Sequence, residues 1–407
     1  MTTAPRTDID RAIRHSPKET PYDRASQGFE NYWYPVCGSR EVREHPPILR
    51  QVLGQPIALM RRQGTAYAIT DDCPHRGAPL HRGRLYFPRS STITCRFHGW
   101  TFDVTDGSCV AALTDGVASK VTGSLRLRTY PVEERKGIVW IWMGKGEPVP
   151  VEEDIPPLLL RDDTMVRFRY SFNYGNWRYH AENGSAGHFQ TLHHDSLPLL
   201  FHQWRGAPAS WSTYLSEPGQ DGEWIIEGSG PRDRQTDYPG LGKWPAKRAW
   251  RFFTQRPPRA LFGITNTTSM RLPGIIRVRD FPMRGSMYYE WYVPYDENHF
   301  VYFQLSAHWP KNPISWLWTN AWYFAWAKRM RKVRFNDQDL EMVRAMTDYA
   351  DRAGQHGPSK LSGADLFPLK WIDSCNRYAR GVGTEVALGG DGVSKAQVAA
   401  RTAKGGS

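Results

Sequence analysis

The sequence has no run approaching about eighteen consecutive apolar residues, so nothing in it is expected to span a membrane. Its first twenty residues, MTTAPRTDIDRAIRHSPKET, lack the apolar stretch that a secretory signal requires. Cysteine is scarce. Cys37, Cys73, Cys95, Cys109 and Cys375 are odd in number and widely spread, which excludes a disulfide framework. The expected compartment is therefore the cytoplasm, where thiols stay reduced and can bind metal. Lys and Arg exceed Asp and Glu by 12, yet no basic run has the periodicity of a recognition helix. Neither nucleic acid nor a membrane is an expected partner. An acidic electron donor or an anionic substrate accounts for the positive excess as well. The chain also lacks internal repeats.

What is present is a globular composition over 407 residues, enough for two ordinary domains or one large one. Aromatics reach 13%, with 17 Trp. That excess fits a large aromatic core, and it also fits a pocket for a flat apolar ligand.

Residues 1–29 are polar and read as an arm. Pro56–Met60 and Thr65–Thr70 read as a hairpin around Gln63-Gly64, and Gly137–Gly144 (GIVWIWMG) as a dense strand. The Pro-rich KGEPVPVEEDIPP that follows marks a boundary, giving units at 30–150 and 151–382 and a Gly/Ala/Lys-rich flexible tail at 383–407. In the second unit Phe172–His193 begins like a helix, and residues 207–243 suit a mobile loop or lid. Met287–Val293 and Phe300–Leu305 suggest an antiparallel sheet, and Trp316–Ala350 reads as helical.

The strongest signal is Cys73-Pro-His75, then nineteen residues, then Cys95-Arg-Phe-His98. Two thiolates and two imidazoles would also suit zinc, but zinc fingers space their paired ligands by two to four residues and here one intervenes in the first pair. Each pair supplies one Cys and one His, so one iron can take both Cys and the other both His, as in a Rieske [2Fe–2S] centre. The flanks, Cys-Pro-His-Arg-Gly and Cys-Arg-Phe-His-Gly-Trp, closely resemble the Rieske domain of aromatic-ring-hydroxylating oxygenases over about residues 30–145. Arg76, Arg82, Arg84, Arg89 and Arg96 crowd these loops. They suit docking of an acidic donor protein; solvation of exposed loops, or pairing with the chain's own carboxylates, is the plainer alternative.

A cluster alone makes an electron carrier, and some 250 residues follow it. Within them, Trp177-Arg-Tyr-His-Ala-Glu-Asn-Gly-Ser-Ala-Gly-His188-Phe-Gln-Thr-Leu-His193-His194 resembles the mononuclear-iron motif of the same family, with His188 and His193 matching its two ligands. Residues five apart on an ideal helix point about 140° apart, so the helix must end or break between them. The third ligand of a two-His, one-carboxylate triad is expected at Asp339. On a helical wheel Phe335, Asp339, Met342, Val343 and Met346 share one face, and Asp337 lies opposite. An acid on an apolar stripe is costly unless it is paired or bound to metal, a buried ion pair with Arg being the alternative. The family places its third ligand in a similar late helix. It usually has an Asp three residues before the first iron-binding His, bridging neighbouring subunits. This chain has Ser185 there, which can hydrogen-bond but carries no charge.

The resemblance implies an α+β protein: an all-β Rieske domain followed by an antiparallel sheet with helices, of helix-grip, START-like form. It implies the oxygenase (alpha) subunit of a multicomponent system with a [2Fe–2S] cluster and mononuclear Fe(II). NAD(P)H-derived electrons would arrive through a reductase or ferredoxin, and oxygen from O₂ would enter an aromatic or other hydrophobic substrate. A homotrimer is implied too, with or without a small beta subunit. Ring hydroxylation is the leading expectation. O- or N-demethylation, or electron transfer with impaired oxygenation, are the alternatives, because fold does not choose among chemistries.

Overall fold

The computed structural model describes residues 20–183, 192–193, 210–216, 225–233, 237–238, 242–243, 267–279, 281, 285–328, 335–354, 360–361 and 365–382. The expectations for the N-terminal nineteen residues and for the tail after Val382 lie outside them.

Among the described residues, ten strands precede residue 143. They are β1 (Trp33–Gly38), β2 (Ile48–Val52), β3 (Gln55–Arg62), β4 (Thr65–Thr70) and β5 (Thr92–Thr94), followed by β6 (Trp100–Asp103), β7 (Cys109–Ala112), β8 (Thr129–Tyr130), β9 (Val132–Arg135) and β10 (Ile138–Trp142). They form three small antiparallel sheets, ordered β1-β10-β9, β2-β3-β4-β8 and β5-β6-β7. The expected hairpin is β3–β4, and both turn residues are left-handed, Gln63 at φ 50° and Gly64 at φ 84°. That turn geometry matches the twist of the flanking strands.

The second unit is built on one sheet. Its strands are β11 (Met165–Tyr174), β12 (Ser210–Ser216), β13 (Ile225–Asp233), β16 (Thr267–Arg271), β17 (Ile275–Arg279), β18 (Met287–Pro294) and β19 (His299–His308). The order is β11-β19-β18-β17-β16-β13-β12, and a separate two-stranded ribbon joins β14 (Asp237–Tyr238) to β15 (Gly242–Lys243). Two expectations are corrected here. Phe172–Tyr174 closes strand β11, paired with β19, instead of opening a helix. The 207–243 region contributes two sheet strands and a ribbon where a lid was expected. Its Ser- and Gly-rich strands lack an alternating apolar pattern by which the sequence could announce them.

The helices are α1 (Pro21–Arg24), α2 (Pro157–Leu160), α3 (Trp177–Glu182), α4 (Pro313–Trp322), α5 (Asp337–Ala353) and α6 (Leu366–Tyr378), with a π turn at Tyr323–Ala327. Asn176 caps α3, its side chain accepting from Arg178 N–H, and the Asn176 N–H donates to Thr347 Oγ1 of α5 at 2.9 Å. These bonds seat the short helix against the long one. Residues 20–29 are not a free arm, since Tyr22, Ala25 and Phe29 are buried and Trp177 Nε1 donates to the Ala25 carbonyl at 2.9 Å.

One hydrophobic core runs through both units. Trp33, Tyr34 and Trp140 from the first share it with Trp291, Phe303 and Leu340 from the second. Trp140 and Trp291 meet edge to face at 4.9 Å. The turn between β2 and β3 adds two bonds, Leu53 and Gly54 N–H donating to the carbonyls of Pro294 and Tyr295.

Asp154 lies buried in the same seam, accepting from Trp33 N–H at 2.8 Å and from Arg380 at 2.9 Å, with Arg271 and Tyr32 also facing it. Burial outweighs these partners and pushes its carboxyl up to about 6. The raised value means that the folded state holds the proton more tightly than the unfolded chain, where it titrates near 3.9. The resulting stability is full below about pH 4 and is lost as pH rises to about 6, a change of about 3 kcal/mol. Asp154→Asn should flatten that part of the stability-versus-pH curve, as read by urea unfolding across the range.

Candidate metal centres

The four residues of the first motif come together on two turns of the same design. Cys73 follows β4 and Cys95 follows β5, and each carbonyl accepts the N–H of a glycine four residues on: Gly77 at 2.8 Å and Gly99 at 3.1 Å. Both glycines are left-handed, φ 69° and 70°, a conformation that side chains resist. At Gly99 a Cβ would also stand 2.8 Å from Leu113. The two thiols are buried and hydrogen-bonded to each other, within a small core that includes Ile69, Leu80, Ile93 and Phe102. His75 and His98 are half-buried, with ring centroids 4.4 Å apart, and His75 stacks on Trp100 at 4.5 Å.

The thiols therefore point inward and the imidazoles lie toward the surface. The hydrogen bond from Cys73 is the largest influence holding the Cys95 thiol below its ordinary range; burial opposes it, and the N–H groups of Phe97 and His98 add to it. Such N–H donors would stabilise charge on a cluster's sulfur ligands. His98 Nδ1 is buried without a hydrogen-bond partner, as a nitrogen meant for a metal would be. Among the described residues no three His, Cys, Asp or Glu side chains converge on a single-ion site. Two sulfurs in one place and two imidazoles in another suit a two-iron cluster better than one zinc.

Asp71, which the sequence reading missed, holds the first loop. It accepts from the His81 N–H at 2.6 Å, and its other oxygen lies 2.7 Å from His81 Nδ1. Arg76, Arg82, Arg84, Arg89 and Arg96 are all exposed, and none makes an ion pair among the described residues. Among the described residues, then, they do not pair with the chain's own carboxylates.

In the second unit His193 and Asp339 are both buried and face each other, Nε2 to Oδ1, at 3.4 Å. His188 and Ser185 lie outside the described residues. Helix α3 ends at Glu182, before both histidines; the break expected between His188 and His193 lies outside the described residues. Two atoms each about 2.1 Å from one ion, at roughly right angles, are about 3 Å apart, so the gap accommodates a shared metal. Asn183 Nδ2 donates to Asp339 Oδ1 at 2.8 Å, Gln338 Oε1 lies 3.0 Å from His193 Nδ1, and the His193 ring stacks on Phe335 at 4.1 Å. With Nδ1–H donating to Gln338, Nε2 is the nitrogen suited to hold a metal. Burial is the largest single influence on His193 and pushes its pKa down, but Asp339 and Gln338 together outweigh it and leave it raised.

The wheel placed Asp339 correctly and its neighbours less so. Asp337 is exposed, as expected, but the buried face of α5 is Asp339, Leu340, Val343 and Thr347, while Met342 and Met346 are exposed. Behind the pair, Glu290 accepts from Tyr292 at 2.5 Å and from Tyr302, which itself accepts from Asn336 Nδ2 at 2.9 Å. Burial, reinforced by the charge of Asp339, pushes the Glu290 carboxyl up against these tyrosine bonds. Asn183, Gln338 and Glu290 were given no role in the sequence reading; a place within the iron motif and adjacency to Asp339 were the signals for the first two. Asn183→Ala should weaken iron binding by about 10–100-fold, measured by iron retention against a chelator, with the cluster's visible spectrum unchanged.

Residues 142–383 match the model of the homotrimeric ring hydroxylase family, and residues 32–131 match the Rieske [2Fe–2S] domain. The chain belongs to this ring hydroxylase family. It is 31% identical over 398 residues, covering 94% of this chain and all of the relative, to the terminal oxygenase component of carbazole 1,9a-dioxygenase from Metapseudomonas resinovorans. The corresponding component from a Sphingomonas species is 35% identical over 300 residues, 70% of this chain and 74% of that one. Among solved structures, the reduced complex between oxygenase and ferredoxin in carbazole 1,9a-dioxygenase matches with a TM-score of 0.78 and 29% identity, covering 93% of this chain and 97% of the other. As a ring hydroxylase the chain is a Rieske oxygenase, an oxidoreductase whose cofactors are a [2Fe–2S] cluster and a mononuclear iron. Its all-β first unit and helix-flanked antiparallel sheet are the fold that the sequence led one to expect.

Proposed function

We propose that this terminal oxygenase inserts oxygen from O₂ into an aromatic or similarly flat hydrophobic substrate, using electrons from NAD(P)H delivered by a reductase and a ferredoxin. The carrying observation is the buried convergence of His193 and Asp339, which a simple electron carrier would not need. Residues 30–150 form the cluster-bearing unit and 151–382 the oxygenating unit, between flanking segments 1–29 and 383–407.

Cys73 and Cys95 would hold one iron of the cluster and His75 and His98 the other; His188, His193 and Asp339 would hold the mononuclear iron. When bound, the cluster supplies electrons one at a time and the iron a place where O₂ is activated. The chain's own residues do the rest. The half-buried His75 and His98, beside the exposed Phe97, form the surface at which electrons would enter the first centre. The five exposed arginines around it, without an ion pair among the described residues, suit an acidic donor; a ferredoxin is the partner bound in the solved carbazole dioxygenase complexes. Gln338 fixes the tautomer of His193, and Asn183 fixes the rotamer of Asp339. Phe281, Tyr288 and Phe335 pack together beside them and exclude water. Ser185 stands where related enzymes carry a bridging Asp and offers a hydrogen bond without charge. Glu182 accepts from Tyr22 at 2.7 Å, and is thereby engaged elsewhere.

The test is substrate-dependent O₂ uptake by the iron-loaded protein with a ferredoxin and reductase. Flat aromatic and heteroaromatic compounds, aromatic acids and aryl ethers would be offered in turn. Hydroxylated ring products are expected. Dealkylated products alone would assign the chain to demethylation, and reduction without any product would leave it an electron carrier.

A further inference from the structure

One face of strands β18 and β19 sets an acid among tyrosines. Glu290 and Tyr292 are two apart on β18 and so point to the same side, and Tyr302 of β19 stands directly opposite Tyr292. The two rings are 5.4 Å apart, and each hydroxyl donates to a different oxygen of the Glu290 carboxylate. No Arg or Lys among the described residues pairs with that carboxylate. An acid held inside a protein for structure alone is ordinarily paired with a cation.

This group reaches the iron site through Asn336. Its Nδ2 donates to the Tyr302 oxygen at 2.9 Å and lies 3.4 Å from Glu290 Oε1. Asn336 stands one helical turn before Asp339 and directly follows Phe335, whose ring is stacked on His193. The charge of Asp339 is felt at both Glu290 and Tyr292. Tyr292 and Tyr302 are each 1% exposed, so the arrangement is complete inside one protomer and requires no free surface.

A phenol that loses an electron while keeping its proton becomes a cation, which a buried site solvates poorly. A carboxylate on the hydroxyl removes that obstacle by taking the proton as the electron leaves. Tyr292 Oη is 2.5 Å from Glu290 Oε2, within the range of about 2.5–2.7 Å for a hydroxyl donating to an ionised acceptor. The raised Glu290 carboxyl is also a stronger proton acceptor than an ordinary one.

We propose that Tyr302 and Tyr292, with Glu290 as their shared base, form an electron relay that protects the iron site when O₂ is reduced there without a substrate to oxidise. The inference rests on the oxygen-activating reading of that site. In the step, the O–H bond of Tyr302 breaks; its electron goes to the partly reduced oxygen at the iron site and its proton to Glu290. A neutral tyrosyl radical remains. Tyr292 exchanges with it, giving its electron to Tyr302 and its proton to Glu290 as Glu290 returns the first. One electron from the donor, with the proton held by Glu290, restores the phenol.

The experiment is a single turnover without substrate. Iron-loaded protein with its cluster reduced is mixed with O₂ in one arm and with hydrogen peroxide in the other, then frozen at intervals for EPR. A tyrosyl signal should appear, with hyperfine structure that collapses in protein grown on ring-deuterated tyrosine. Tyr302→Phe combined with Tyr292→Phe keeps both rings and should lose the signal with iron content unchanged. Glu290→Gln, which retains both phenols, should lose it as well. Oxidation of His193 and Phe335, mapped by mass spectrometry after repeated substrate-free turnover, should rise in both variants; a purely structural network would not move that map. A signal that survives the double substitution would overturn the relay. Product formation in the substrate panel without a tyrosyl signal in either arm would overturn the relay alone. Absence of both product and signal would overturn the oxygenase reading with it.

Discussion

Replacing Asp339 by Asn should remove the mononuclear iron and abolish oxygenation while leaving the cluster intact. Asparagine keeps the shape of the side chain and can still accept from Asn183, whose Nδ2 lies 2.8 Å from Oδ1. It lacks the negative charge that offsets a bound cation. Losing an outer partner of a metal ligand typically costs about 10–100-fold in affinity, and losing the charge of the ligand itself costs more. Iron analysis should fall from about three atoms per chain to about two, the two of the cluster. The Rieske EPR signal and its reduction by a donor should persist. If the variant keeps its third iron, Asp339 is not a ligand. If it loses the cluster too, the two centres are not independent.

Cys95→Ser should give the complementary result. The Cys95 thiol is buried, receives N–H donors from Phe97 and His98, and touches Cys73. A serine hydroxyl cannot become the soft anionic ligand that iron–sulfur chemistry needs. The cluster's visible absorption and EPR signal should vanish, about one iron per chain should remain, and O₂ uptake driven by a ferredoxin should stop. The damage should reach the fold. The core around the two thiols is small and separate from the main one, and metal binding there is in effect folding free energy. Limited proteolysis should therefore cut the variant within residues 71–100 while the seven-stranded sheet stays protected. Retained absorption would remove Cys95 from the ligand set.

Those two centres were unequally legible in the sequence. The first could be read because its geometry is local: each cysteine turn closes on a glycine four residues away, Gly77 or Gly99. The β3–β4 hairpin was legible for the same reason, its alternation ending at Gln63-Gly64. Asp339 was legible because an acid on an otherwise apolar helical face is anomalous. What escaped depends on distant parts of the chain. Asn183 meets Asp339 across more than a hundred residues, and Glu290 finds Tyr302 on the neighbouring strand. Strand β11 was mistaken for the start of a helix because its pairing partner β19 lies far along the chain. Strands β12 and β13, rich in Ser and Gly, have no apolar periodicity to announce them, and it is their antiparallel backbone pairing that shows them to be part of the sheet.

The seam in which Trp140 meets Trp291 leaves no hinge, among the described residues, between the two units. Within a chain, neither unit can swing toward or away from the other without opening a shared core. On the function proposed above, the timing of catalysis is then set by arrivals: a reduced donor at the cluster and a substrate at the iron site. Control of this enzyme is a matter of occupancy, with the scaffold itself holding still.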